Sequence, residues 1–271
     1  MLADPTPVSS LASRPSYPPA SVLLEASALT KFYGASRVVE DVSLTIHRGE
    51  TLGLVGESGS GKSTIARMLL RLVEPTRGKI LYDLTDLLAL NPRYLRRMRR
   101  RMQIVFQDPF AALNPRMRVR EILAEPFAIH RVRPPEGLPV RLDTLLHEVG
   151  LETSSLSRYP HEFSGGQRQR INIARALALK PEFLVLDEPV SALDVSVGAQ
   201  VINLLRDLRR THDLTYLFIS HSMPLVRYLC DRVAVLKRGR IVEIGGALEI
   251  CDHPVEEYTQ KLIAATPEVP T

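Results

Sequence analysis

The chain has no tryptophan, two cysteines in 271 residues, and aromatics at only 6%. Cys230 and Cys251 are too few for a disulfide framework and lie at no metal-ligand spacing, so a reducing compartment is expected. No apolar run approaches the ~20 residues that a membrane-crossing helix needs. The opening stretch "MLADPTPVSSLASRPSYPPAS" has no apolar centre, which excludes a signal peptide there. Its proline and serine content reads as a disordered leader over residues 1–21. A soluble, cytoplasmic protein is therefore expected, and any service to a membrane has to run through docking on another protein.

What is present is ordinary for a globular chain: 45% hydrophobic and 24% charged residues. The length suits one large domain, or one domain carrying a lobe. A net charge of +5 fits an acidic partner, be it nucleotide, nucleic acid or an anionic membrane face, without choosing among them.

Short β-rich runs, "VLLEASALTKFYG" and "VVEDVSLTIHRGETLGLVG", precede a helical pattern at "KSTIARMLLRLV". A basic helix in "NPRYLRRMRRRMQIVFQ" feeds a strand that ends at Gln107. Residues 108–180 are mostly helical, and strands return at "FLVLD", "YLFIS", "RVAVLKRGR" and "IVEIG". Strands alternating with helices imply an α/β class with a parallel sheet covered on both faces. The helical middle reads as an inserted lobe. The arginines of the basic helix (Arg93, Arg96, Arg97, Arg99, Arg100, Arg101) wrap around it, so a solvated face is expected, ahead of attraction to anionic headgroups. Nucleic-acid binding is disfavoured, because beyond Tyr94 no stacking aromatic is interleaved.

The segment "GESGSGKST" (Gly56, Glu57, Ser58, Gly59, Ser60, Gly61, Lys62, Ser63, Thr64) matches G-x-x-x-x-G-K-[ST] and follows the strand "TLGLV". Glycines let successive N–H groups converge on phosphate oxygens, and the helix N-terminus adds a favourable dipole. Lys62 can reach the β- and γ-phosphates, and the Ser63 hydroxyl can ligate Mg²⁺. "FLVLDEP" makes a buried strand that ends at Asp187, where ligands gather in parallel sheets. Adjacent carboxylates beside polyphosphate make sense if Asp187 serves the metal and Glu188 orients or deprotonates the attacking water. The competing reading is a plain acidic helix start. Two more strand ends point at the same crevice: Gln107, suited to watching the metal or water, and His221, suited to hydrogen-bonding the γ-phosphate. The other histidines show no ligand spacing.

A second glycine pair stands in "EFSGGQRQR". Ser164 and Gln167 form a capping-box pattern, which leaves Gly165 and Gly166 unexplained, since glycine is a poor helix former. Two bare glycines at a helix start admit an anion, yet the chain's own phosphates are already wrapped by the loop over residues 56–64. A nucleotide held by another subunit, in a head-to-tail pair with composite sites, resolves the redundancy.

Together these motifs resemble the ATP-binding subunit of an ABC transporter, from about Val22 to the C-terminus. The order includes the Walker A loop, Gln107 as Q-loop, "SGGQ" as signature, "LVLDEP" as Walker B, "SALD" as D-loop and His221 as switch. The resemblance implies a P-loop NTPase fold: a RecA-like core with an inserted α-helical subdomain and an N-terminal β subdomain. It places the ATPase domain over residues 22–250, the helical subdomain near 108–180, and a short tail over 251–271. It also implies ATP and Mg²⁺ as ligands, Tyr33 (with Phe32 as competitor) stacking on adenine, and Asp194 at the dimer interface.

"IVFQDPFAALNPRM", "RYPHEFSGGQRQRINIARAL" and "HPVEEYTQKLIAATP" resemble the branch that serves di- and oligopeptide, nickel and glutathione importers. That implies a second ATPase subunit, related or identical, two transmembrane permease subunits, a solute-binding protein reached indirectly, and a peripheral position on the cytoplasmic face of the bacterial inner membrane. Residues 108–117 would then lie near the permease, with Phe110 and Leu113 as test positions. The chain departs from the branch at Glu257, where proline is usual before Tyr258, and at Gly198, where glutamine is common. Two cysteines cannot supply the iron–sulfur cluster that some relatives carry. An assembly factor like the soluble subunits of carbon–phosphorus lyase is the alternative. A DNA-repair or translation ATPase is disfavoured by the single cassette and the lack of a long coiled-coil insertion.

Overall fold

The structure, a computed structural model, describes residues 21–265, so the expected leader lies outside it except for Ser21. Strands β1 (Val22–Tyr33) and β2 (Ser36–His47) form a long antiparallel hairpin. Next come β3 (Thr51–Val55), α1 (Lys62–Leu69), β4 (Arg77–Tyr82), β5 (Thr85–Asp86), α2 (Pro92–Met98) and β6 (Met102–Val105). The long segment before β7 (Phe183–Asp187) carries α3 (Pro109–Ala112), α4 (Val119–His130), α5 (Leu138–Glu148) and α6 (Gly165–Leu177). The chain then runs through α7 (Val195–His212), β8 (Thr215–Ser220), α8 (Met223–Leu229), β9 (Arg232–Lys237), β10 (Arg240–Gly246), α9 (Ala247–Asp252) and α10 (Glu257–Ala264).

Two sheets result. One is antiparallel, in the order β2-β1-β4-β5. The other has the order β10-β9-β3-β8-β7-β6 and is parallel except for its β10 edge. All residues of β3, β7 and β8 are buried, as expected of central strands covered on both faces. Alternate residues serve separate cores. Phe183 and Val185 join the hydrophobic cluster that holds α1 and the antiparallel sheet, whereas Leu184 and Leu186 join the one that holds α4 to α7.

Three local expectations are corrected. The helical pattern expected to Val73 stops at Leu69, because Arg71 takes a left-handed backbone (φ 48°) and the N–H groups of Leu72 and Val73 turn back to the Arg67 carbonyl. Strand β6 ends at Val105, two residues short of Gln107, which sits in the following loop. The arginine helix is not simply a solvated face. Arg96 and Arg100 donate to the carbonyls of Ile129 and His130 at the end of α4, Arg99 donates to the Arg71 carbonyl, and Arg101 pairs with Asp83 and Glu182. Those arginines satisfy orphan helix-end carbonyls and fasten α2 to its neighbours. Arg93, Arg96 and Arg97 remain exposed, so the solvated reading holds for that part of the run.

Candidate nucleotide site

The glycine-rich loop leaves β3 and ends in α1, so its N–H groups open at the carboxyl edge of the parallel sheet. Gly56, Gly59 and Gly61 have φ of 149°, 78° and 110°, values closed to most side chains. At Gly56 a Cβ would lie 2.2 Å from the Leu236 carbonyl oxygen, and at Gly61 it would lie 2.9 Å from that of Val38. The loop is thus wedged between β9 and the hairpin whose far strand carries Tyr33. Tyr33 itself is 48% exposed, with Lys31 Nζ 5.1 Å from its ring centroid, and Phe32 is 38% exposed. Glu57, Ser58 and Gly59 are exposed, and Thr64 is half-buried beside Ser63.

Lys62 is buried, and its ammonium donates to the Gly56 and Glu57 carbonyls, each at 2.8 Å. Burial pushes this amine below the usual lysine range, against the pull of Glu188 and Asp187. Ser63 Oγ donates to Asp187 Oδ1 at 3.0 Å. Burial pushes the Asp187 carboxyl up, with the Ser63 hydrogen bond opposing and the Glu188 charge adding to the rise.

The two neighbouring carboxylates diverge because Glu188 takes a left-handed backbone (φ 47°), an uncommon conformation for a non-glycine residue, held by its N–H on the Ile219 carbonyl at 3.1 Å. Asp187 faces Ser63. Glu188 Oε2 instead accepts from Gln107 Nε2 at 3.1 Å and lies 3.5 Å from His221 Nδ1. Residues following β3, β8, β7 and β6, four adjacent strands, therefore meet along one rim.

The second glycine pair lies elsewhere. Ser164 caps α6, accepting from Gln167 N–H at 3.3 Å while its own N–H donates to Gln167 Oε1 at 3.1 Å. A Cβ on Gly166 would lie 2.2 Å from Val197 Cγ1, whereas on Gly165 it would meet Leu193 Cδ2 at an ordinary 3.4 Å. Packing alone thus demands glycine at position 166, a reason the anion argument lacked. Gly165 has no such demand. Asp194 caps α7, accepting from Val197 N–H at 2.9 Å and Ser196 Oγ at 2.8 Å, and these bonds hold its carboxyl below the usual range.

The ABC transporter family model matches residues 39–191, which hold the glycine-rich loop, Gln107, the α6 glycines and both carboxylates. The chain belongs to the ABC transporter family. It is 51% identical over 235 residues to the oligopeptide transport ATP-binding protein AppF of Bacillus subtilis, covering 86% of this chain and 71% of that one. It is 50% identical over 237 residues to the dipeptide transport ATP-binding protein DppF of Lactococcus lactis, covering 86% and 76%. Among solved structures, cbiO1 of Clostridium perfringens, part of the ABC transporter complex cbiONQ, superposes with a TM-score of 0.77 at 27% identity, over 86% of this chain and 91% of its own. The ATP-binding cassette MJ0796, solved as a post-hydrolysis dimer with ADP and Pi, gives 0.74 at 29%, over 83% and 98%.

In this ABC chain the structure brings forward residues that the motifs do not mark. From α6, Asn172 Nδ2 reaches the Phe106 carbonyl at 3.4 Å, Arg175 Nη1 the Ala112 carbonyl at 2.6 Å, and the Arg168 guanidinium lies 4.1 Å from the Phe110 ring centroid. The signature helix thereby holds the segment that follows Gln107. Phe110 is 57% exposed, but Leu113 is 1% exposed and belongs to the core, so the two are not equivalent surface probes. At the other end of the chain, Tyr258 reaches the phosphate loop, a contact across 201 positions that no local pattern reveals.

Proposed function

We propose that this chain is the ATP-binding and ATP-hydrolysing subunit that powers import of di- or oligopeptides or a related small solute. It works paired with a second ATPase subunit, docked on two permease subunits at the cytoplasmic face of the membrane, and meets the solute-binding protein only through them. No helix among the described residues is long and apolar enough to cross a membrane, which accords with docking. The observation that carries the reading is the convergence of Lys62, Ser63 with Asp187, and Gln107 with Glu188 and His221 at four adjacent strand ends.

Within the site, the loop over residues 56–64 binds the phosphates through its N–H groups and Lys62. The Ser63–Asp187 pair suits Mg²⁺: a hydroxyl and a poorly solvated carboxylate form a hard-oxygen donor set, whereas the Gln107 amide is engaged by Glu188. Among the described residues no group of three His, Cys, Asp or Glu side chains is placed to hold a metal ion by itself, so a cation at these oxygens would need phosphate oxygens to complete its site. A cation held by Ser63 and Asp187 would supply charge neutralisation for bound polyphosphate. Glu188 holds the attacking water and takes its proton, while Gln107 and His221 fix the carboxylate. Ser164, Gly165, Gly166 and Gln167 close over a nucleotide held by the partner subunit, and Asp194 meets the interface.

The test is Glu188→Gln in the assembled transporter. ATP should still bind, turnover should fall about 10²-fold or more, and ATP-locked dimers should accumulate. Normal turnover would remove Glu188 from its role. Co-purification of a membrane permease, rather than a soluble lyase complex, checks the transport assignment.

A further inference from the structure

The hydroxyl of Tyr258, on α10, accepts a hydrogen bond from the Glu57 N–H at 3.2 Å. That N–H belongs to the same peptide unit as the Gly56 carbonyl, which takes the Lys62 ammonium at 2.8 Å. One peptide plane is therefore held from both edges, by Lys62 on the carbonyl side and by Tyr258 on the amide side. It needs holding, because that plane turns about the ψ of Gly56, and a residue without a Cβ leaves this torsion freer than any other would.

The tyrosine is seated independently of this bond. The residue is 9% exposed, with Lys237 Nζ 4.9 Å from the ring centroid. The entry to α10 is fastened by the Val255 and Glu256 N–H groups on the Glu243 carboxylate, at 2.9 and 3.3 Å. Thr259 is fully buried, and Leu262 and Ile263 pack on the main hydrophobic cluster. Removing the hydroxyl should therefore leave the helix docked.

We propose that Tyr258 is a positioning residue for nucleotide binding: the C-terminal helix clamps the Gly56–Glu57 peptide and presets the phosphate loop. When phosphates draw the Lys62 ammonium away from the Gly56 carbonyl, Tyr258 is what keeps that peptide from turning. The inference rests on the ATPase reading and adds to it a part played by the tail.

Tyr258→Phe keeps the ring and deletes one hydrogen bond. In the assembled transporter the KM for ATP should rise three- to ten-fold, the size of one neutral hydrogen bond, with kcat within two-fold and the unfolding temperature lowered by no more than a few degrees. Amide exchange at Glu57, followed without nucleotide, should be slow in the native chain and at least several-fold faster in the variant. That measurement does not depend on turnover, so its failure is distinct from failure of the ATPase reading. An unchanged KM, equal exchange at Glu57 in both proteins, fast exchange in the native chain should the variant not fold, or lost stability in place of a KM shift would each overturn the proposal.

Discussion

Gln107 and Glu188, 81 positions apart in the chain, are joined by a hydrogen bond of 3.1 Å from the glutamine amide to the carboxylate. The two leave neighbouring strands, β6 and β7, and Glu188 Oε2 also lies 3.5 Å from His221 Nδ1. One carboxylate oxygen thus reads both flanking loops. The Gln107 loop is in turn held by α6 through Asn172, so the rim is tied to the signature helix by two hydrogen bonds in series.

Loss of the Gln107 amide should loosen Glu188 without touching the phosphate loop. Gln107→Ala is expected to keep ATP affinity within about three-fold and to lower turnover about ten-fold, since each factor of ten corresponds to ~1.4 kcal/mol of barrier. Filter binding and steady-state phosphate release measure the two separately.

The α6 glycines should part company. Gly166→Ala forces a methyl onto Val197 and should destabilise the fold by about 1–3 kcal/mol, with recovery in the Gly166→Ala, Val197→Ala double variant. Gly165→Ala has room for its methyl and gains up to ~1 kcal/mol of helix propensity. It should still slow ATP turnover in the assembled transporter if a nucleotide of the partner subunit meets that backbone, as proposed. Thermal unfolding and turnover, measured side by side, test the pair.

Phe110 and Leu113 should also separate. Leu113→Ala empties a buried site and should cost about 2–5 kcal/mol of stability. Phe110→Ala removes an exposed ring that carries the Arg168 guanidinium and should leave unfolding nearly unchanged while uncoupling ATP turnover from solute uptake. Uptake into vesicles that matches the native transporter would show that the ring does not meet the permease.

Arg101 bridges Glu182, at 2.8 Å from both Nε and Nη2, and Asp83 at 2.7 Å, while Arg48 joins the same two carboxylates. Hydrogen bonds from Arg101, ahead of those from Arg48, hold both carboxyls below their ordinary values of 3.8 and 4.5. The native state therefore gives up these protons more readily than the unfolded chain does. The resulting stabilisation is complete well above the ordinary values and is lost as pH falls through and below them. Arg101→Met should cost about 1–2 kcal/mol at pH 7, a figure already discounted for the partial exposure of all four groups, and the difference should shrink below about pH 4. Denaturant unfolding across pH reads it directly.

Much of the fold was legible because its signals are local. The uninterrupted apolar runs of β3, β7 and β8 announce strands buried on both faces, and the glycine loop between a strand and a helix announces the phosphate site. What stayed hidden depends on distant neighbours. Nothing near Arg96 or Arg100 says that the end of α4 will present carbonyls to them, so a surface helix was expected. Nothing near Gly166 says that Val197 will press on it, so an anion had to explain both glycines. Leu113, in a loop-like run beside Phe110, gives no sign that it turns inward. The Tyr258 contact is the extreme case, since only the finished sheet brings the tail beside β9 and the loop.

The alternation along β7 and β8 leaves two bodies of oil that share no residue, one under the phosphate helix α1 and one under α4 to α7. A strand layer stands between them like a bulkhead. The apolar packing of the helical insertion therefore ends at the strand layer, and at the rim of that layer the Gln107 amide, the Glu188 carboxylate and the His221 imidazole stand in line.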